Sequence, residues 1–216
     1  MAVRKKESEV VVVEKKDIKI KKLPLRIIGD SPLIVHAWDE KAVRQMLDKQ
    51  MKKAPESKAA KNPFSDFINS LYWLCGKPAE MTEEAFEKSV KKGAKFGFPS
   101  IGLKEAAASA GYRAKMTKDK VSTYAAFHID EDFLVIEGVP NMRQDMVRLQ
   151  MGVADVRFRG EFREWSSKFV IRYNSAVISP DIIIGLINLA GFSVGLGEWR
   201  PDKGGRYGMF HVDTAA

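Results

Sequence analysis

The sequence predicts an α+β fold with a ferredoxin-like core carrying helical and loop insertions, and the C-terminal third supplies the reasons. In DVRFRGEFRE (155–164), Val156, Phe158 and Phe162 alternate with Arg157, Arg159, Glu161 and Arg163, the pattern of a half-buried strand. KFVIRY (168–173) places Phe169, Ile171 and Tyr173 on one face and reads as its antiparallel partner across the turn EWSS. SPDIIIGLINLAG (179–191) is helical, with Ser179 as N-cap, Pro180 at the first helical position, Asp181 in the first turn and Gly191 as the stop. YGMFHV (207–212) closes as a strand. Strand, strand, helix, loop, strand is half of a ferredoxin-like unit.

The preceding residues are read in chain order. EVVVVE (9–14) belongs to a first strand or a basic arm, and IKIKKLPLRIIG (18–29) is a strand ending in the turn Gly29, Asp30, Ser31. PLIVHAW (32–38) is a second short apolar stretch. Asp39 then caps a helix with Val43, Met46, Leu47 and Met51 at helical spacing. KKAPESKAAKNP (52–63) is a lysine-rich loop. FSDFINSLYWL (64–74) suits a helix or an extended element. TEEAFEKSVKK opens on Thr82 and two glutamates, a sound helix start. After FGFPS, an alanine-rich helix covers 103–110 and Gly111 closes it. DKVSTYAAFHI (119–129) is a short helix or an extended element, and FLVIEG (133–138) a strand.

The 216 residues are read as a single domain, 1–216, with a helical, lysine-rich insertion over roughly 39–95. A hydrophobic fraction of 45% with 30% charged residues describes an ordinary globular chain. No membrane span or export signal is recognisable, which points to the cytoplasm. The net charge of +8 is uneven: residues 41–61 carry seven Lys/Arg against two acids, and residues 88–120 nine against two. Clusters of this kind suit a polyanionic partner or a solvated helix face.

Catalytic motifs are scarce. The lone Cys75 forms no disulfide or zinc site and reads as a small buried hydrophobe. His36, His128 and His211 have no metal-ligand spacing, so no metal and no cofactor are expected. His36 reads as a satisfied core or edge histidine, with general base as its minor alternative. GLGEWR (195–200) follows a helix instead of opening one, against dinucleotide binding. Arg157, Arg159 and Arg163 share a strand face, with Arg172 on a neighbour, and such a row matches a phosphate backbone. The competing reading is an outward polar face laced with Glu161 and Glu164. Arg113 and Lys115, in the second basic window, are further phosphate candidates. Trp199, beside Arg200, is placed to stack a base, whereas Trp38, Trp73 and Trp165 read as core.

Two stretches, FGFPSIGLKEAAASAG (96–111) and AGFSVGLGEWRPDKGGRYGMFHV (190–212), together resemble the RAMP superfamily, particularly backbone subunits of CRISPR effector complexes. The first is similar to that family's proline, small residues, lysine and alanine-rich helix; the second to its C-terminal glycine-rich loop. Ala108 departs from the arginine often found there, and Glu198 and Asp202 place acids in a loop that is usually basic. The resemblance implies a ferredoxin-like core that grips single-stranded nucleic acid, RNA or DNA, without reading sequence, and multimerises along it in a CRISPR-type or virus-encoded setting. Carried over by position, Lys104 contacts phosphate, Gly204, Gly205 and Arg206 let the backbone approach the strand, Arg200 and Lys203 add charge, and the 52–61 loop packs on a neighbour or duplex. Two other readings stand beside this one: an RNA-processing endoribonuclease using His36 with Tyr207 or a lysine, and a structural assembly protein whose basic loops face partner subunits.

Overall fold

The computed structural model describes residues 18–38, 40–53, 61–148 and 154–214. The EVVVVE segment, the Asp39 cap and most of the lysine-rich loop fall outside them. The elements are β1 (Ile20–Gly29), β2 (Leu33–Val35), α1 (Glu40–Gln50), α2 (Pro63–Asn69), β3 (Tyr72–Cys75), α3 (Glu83–Lys91), β4 (Lys95–Pro99) and α4 (Ser100–Arg113). They continue with α5 (Lys120–Ala126), β5 (Phe127–Ile129), β6 (Phe133–Ile136), β7 (Pro140–Arg148), β8 (Ala154–Phe162), β9 (Ser166–Asn174), α6 (Pro180–Ser193) and β10 (Phe210–Val212). The architecture is mixed α+β. The two stretches with undecided periodicity each hold both element types, a helix followed by a strand.

A four-stranded antiparallel sheet, in the order β10-β1-β9-β5, is the centre of the molecule. Its long β1–β9 pairing sets Leu23 opposite Ile171 and Leu25 opposite Phe169. These side chains, with Ile27, Phe127, Tyr173 and Phe210, join one core with Leu103, Ala106, Ala107 and Ala110 of α4 and Ile183, Leu186, Ile187 and Ala190 of α6. Alanines on α4 let it lie close against α6. Two expected helix stops instead serve this packing. Gly111 sits inside α4, where a methyl group would come within 2.6 Å of Leu186, and the helix runs on to Arg113. Gly191 sits inside α6 against β10, and the helix ends at Ser193. The other end of α6 matches expectation, with Ser179 accepting from the Ile182 amide; Thr82 caps α3 in the same way through Ala85.

β8 and β9 do not pair, contrary to their proximity in sequence. β8 lies between β2 and β7 in a second sheet, while β9 joins the central one. The switch is made by Trp165, which is buried and donates from Nε1 to the Ser31 carbonyl at 2.9 Å over Gly29. Seating that indole turns the chain away from β8. A third sheet, β3-β4-β6, buries Phe96, Leu134 and Ile136 on one side and exposes Leu74, Phe133 and Val135 on the other. Cys75 ends β3 exposed, not buried. Trp38 is exposed as well, so only Trp165, buried, and Trp73, half-buried, belong to the core. The apolar stripe of α1 (Val43, Met46, Leu47) and Met51 just beyond it are exposed.

Gly191→Ala drives a methyl group to 1.8 Å from the Phe210 carbonyl oxygen. It should destabilise the fold by about 2 kcal/mol, in the range of core overpacking. Gly185→Ala, in the same helix with only the Met116 terminal carbon at 3.7 Å, should stabilise by about 0.5–1 kcal/mol. Urea melts of the two variants check both signs.

Candidate nucleic-acid interface

The cations expected to bind nucleic acid separate into three places. The first is β8. Arg157, Arg159 and Glu161 do share a face, and β7 lays Arg143 and Asp145 beside them in register. The result is a closed ion network rather than an open row. Arg159, 4% exposed, donates to Asp145 at 3.2 Å, and its Nε is buried without a hydrogen-bond partner among the described residues. Arg143 bonds Asp145 at 2.9 Å and Glu161 at 2.7 Å. Arg163, more exposed, reaches Glu161 at 3.5 Å, and Arg157 lies 3.6 Å from Asp155. A cation already held by a carboxylate has less to offer a phosphate, so the arginine row is largely self-compensated as it stands.

The glycine-rich loop is the second place. Its backbone is knitted into β2: the Glu198 amide donates to the Ile34 carbonyl and the Gly208 amide to the Pro32 carbonyl. Gly205 and Gly208 are there because the loop folds on itself. A methyl group would meet the Trp199 carbonyl oxygen at 1.7 Å in one case and the Leu196 carbonyl oxygen at 1.9 Å in the other. Gly204 differs, being left-handed (φ +75°) with open space around it. Asp202 is a hub, bonded to Arg113 at 2.6 Å and lying 3.6 Å from Arg200 and 3.9 Å from Lys203. The Arg113 hydrogen bond, more than any other contact, holds its carboxyl below the ordinary aspartate range. This acid, at odds in sequence with a basic loop, thus anchors the loop to the end of α4. Trp199, left-handed at φ 55°, is 43% exposed, and Arg206 is exposed. Lys115, also left-handed and exposed, follows α4.

His36 and Tyr207 share no hydrogen bond. Tyr207 lies under the Arg143 guanidinium, 4.7 Å from ring centroid, and accepts from it at 3.3 Å. His36 lines a cleft of about 650 Å³ with Trp38, Lys61, Asp66, Asp155, Arg157 and Glu198. Its Nδ1 is 3.9 Å from Glu198, and burial, then the nearby Arg159, keep its pKa below the usual histidine value.

The third place is the outer face of the central sheet, opposite the helices. The alternation that sends Leu23, Ile171 and Phe127 inward sends Lys22, Arg172 and His128 outward, and the register sets these three directly across from one another on β1, β9 and β5. Adjacent strands are about 4.8 Å apart, so they form a straight basic row across the sheet. Lys104 extends it at the β5 edge, donating from Nζ to His128 Nδ1 at 3.1 Å. Arg172 is paired with Asp130 at 2.9 Å. Among the described residues, Lys22 and Lys104 have no ion-pair partner. Burial lowers the Lys104 pKa; burial first, then Lys104 and Arg172, lowers that of His128. Lys104 and Arg172 therefore both neighbour His128, while Lys22 and His128 complete the row without any signal in the sequence: Lys22 is aligned with Arg172 by pairing across 150 residues and His128 by pairing across 44.

Among the described residues no group of three or more metal-ligating side chains occurs, and no helix is long and apolar enough to cross a membrane. No family model and no curated protein matches the chain. A solved structure, that of Cmr6 from Pyrococcus furiosus, is similar over 91% of this chain and 100% of that one, at 11% identity and a TM-score of 0.36.

Asp145→Ala leaves the buried Arg159 charge without its carboxylate and should cost about 3–5 kcal/mol, whereas Arg159→Met combined with Asp145→Ala should recover most of that loss. A double-mutant cycle of denaturant melts measures the recovery.

Proposed function

We propose that this chain binds single-stranded nucleic acid by its phosphate backbone, on a ferredoxin-like core of the RAMP type. The row Lys22, Arg172 and His128 on the open sheet face, extended at the β5 edge by Lys104 of α4, carries the reading. Among the described residues it holds two cations without carboxylate partners and a third shared with Asp130. Phosphate contacts position a strand without reading bases, in keeping with a site made of flexible charged side chains. The strand order β10-β1-β9-β5, with α4 and α6 both packed on one side, supports the ferredoxin-like assignment. Exposed Arg206, Lys203 and Trp199 in the glycine-rich loop extend the same reading. So does assembly with neighbouring subunits, copies or other chains, to which the exposed apolar surfaces of α1 and the β3-β4-β6 sheet are suited.

Filter binding of oligothymidylate and oligouridylate between about 50 and 200 mM salt tests this. Affinity should fall steeply with salt and depend little on base. Lys22→Ala and Lys104→Ala together should weaken binding and reduce the log–log salt slope by about 0.7 for each phosphate that is no longer neutralised. No binding at the lower salt concentration, or an unchanged slope in the double variant, overturns the assignment.

A further inference from the structure

We propose that His128 is itself a phosphate ligand and binds as the imidazolium, so that a phosphate seated between Lys104, His128 and Arg172 is taken up together with a proton. This rests on the basic-row reading and assigns the chemistry at its centre.

The geometry sets the protonation state of the free protein. His128 Nδ1 accepts a hydrogen bond from the Lys104 ammonium at 3.1 Å, so in that contact it carries no proton. Arg172 lies directly opposite on β9, and Lys22 directly beyond Arg172 on β1. The carboxylate that faces the group is Asp130, at the end of β5, which is engaged with Arg172 at 2.9 Å. Glu105, next to Lys104 on α4, is held by Lys120, Tyr124 and Ser109. Partial burial first, then the neighbouring ammonium and guanidinium, lower the His128 pKa below the usual histidine value and favour the neutral ring, with Asp130 acting the other way.

A phosphodiester changes the balance. Its negative charge offsets both neighbouring cations and makes the imidazolium favourable. Protonation of Nδ1 from solvent then frees the Lys104 ammonium, so that lysine, imidazolium and guanidinium can all donate to phosphate oxygens. No bond is made or broken apart from these protons and hydrogen bonds. The sign follows from linkage: the free-state pKa is lowered and the bound phosphate raises it, so between the two values binding consumes a proton. Affinity rises as pH falls through the bound-state pKa and levels off below the free-state one. An ordinary lysine or arginine site has no such dependence near neutrality.

Fluorescence anisotropy of a labelled oligothymidylate, at constant ionic strength between about pH 5.5 and 8.5, reads this directly. The wild-type protein should bind more weakly as pH rises, by up to about tenfold per unit. His128→Gln should bind with a flat profile, and His211→Gln should keep the wild-type slope. In parallel, an NMR titration of the wild-type histidine rings should show the His128 pKa moving upward when inorganic phosphate is added, which requires no variant to fold. A flat wild-type profile, an unchanged slope in His128→Gln, or a His128 pKa indifferent to phosphate overturns the proposal. Binding with a flat profile defeats only the role of His128, whereas no binding at any pH defeats the basic-row reading with it.

Discussion

The register of the β1–β9 pairing is the constraint on which the rest of the molecule depends. Nine consecutive residue pairs lock two strands from opposite ends of the chain. Because side chains alternate, the one setting that buries Leu23, Leu25 and Ile27 beside Ile171 and Phe169 also turns Lys22 and Arg172 outward as neighbours. A slip of one residue would bury the charges and expose the core. Hydrophobic burial against α4 and α6 therefore specifies the basic row, although none of the energy comes from the row itself. Edge strands inherit the same setting: β5 aligns His128 with Arg172, and β10 brings Phe210 over α6.

Net charge is a poor guide to which surface attracts an anion; what matters is how each cation is compensated. The face of β8 carries the most arginines, yet Asp145, Glu161 and Asp155 answer them at close range. Around Asp202 the same holds for Arg113 and, at longer range, for Arg200 and Lys203. These groups use electrostatics for structure, joining β7 to β8 and the glycine-rich loop to α4. Among the described residues, the row on the central sheet has one carboxylate for its four members. With fewer charges it leaves more of its potential uncompensated among the described residues.

Local signals in the sequence are legible, and non-local ones are not. Ser179 and Thr82 cap the helices they precede because an N-cap is a contact between residues three apart. The alternation of KFVIRY reappears as buried Phe169, Ile171 and Tyr173. Gly111 and Gly191 read as helix stops and are not, since a glycine needed for close packing looks the same in sequence as one needed to end a helix. What distinguishes them is the neighbour, Leu186 in one case and Phe210 in the other. The pairing of β8 with β7 instead of β9 depends on where Trp165 is seated. Of the site, Lys104 and Arg172 are legible as separate cations, while Lys22 and His128 become neighbours only through strand register. Exposure of Trp38 and Cys75 reverses what their apolar surroundings in sequence imply.

The glycine-rich segment poses the sharpest question about form and role. Glycines are used where a backbone must approach something closely, and here Gly205 and Gly208 approach other parts of the same loop. That requirement is met inside the protein, so glycine content by itself says nothing of a ligand. The loop's amides bond to β2 and to its own turns, and Asp202 ties it to α4. It is thereby a rigid bracket joining the β2-β8-β7 sheet to the layer of α4 and α6. Such a bracket still presents side chains: Trp199, Lys203 and Arg206 project from a frame already held by its own hydrogen bonds. Ordering a loop is among the main entropic losses when proteins bind, and in this loop that ordering is already done by contacts within the protein, the bareness of its glycines serving those contacts.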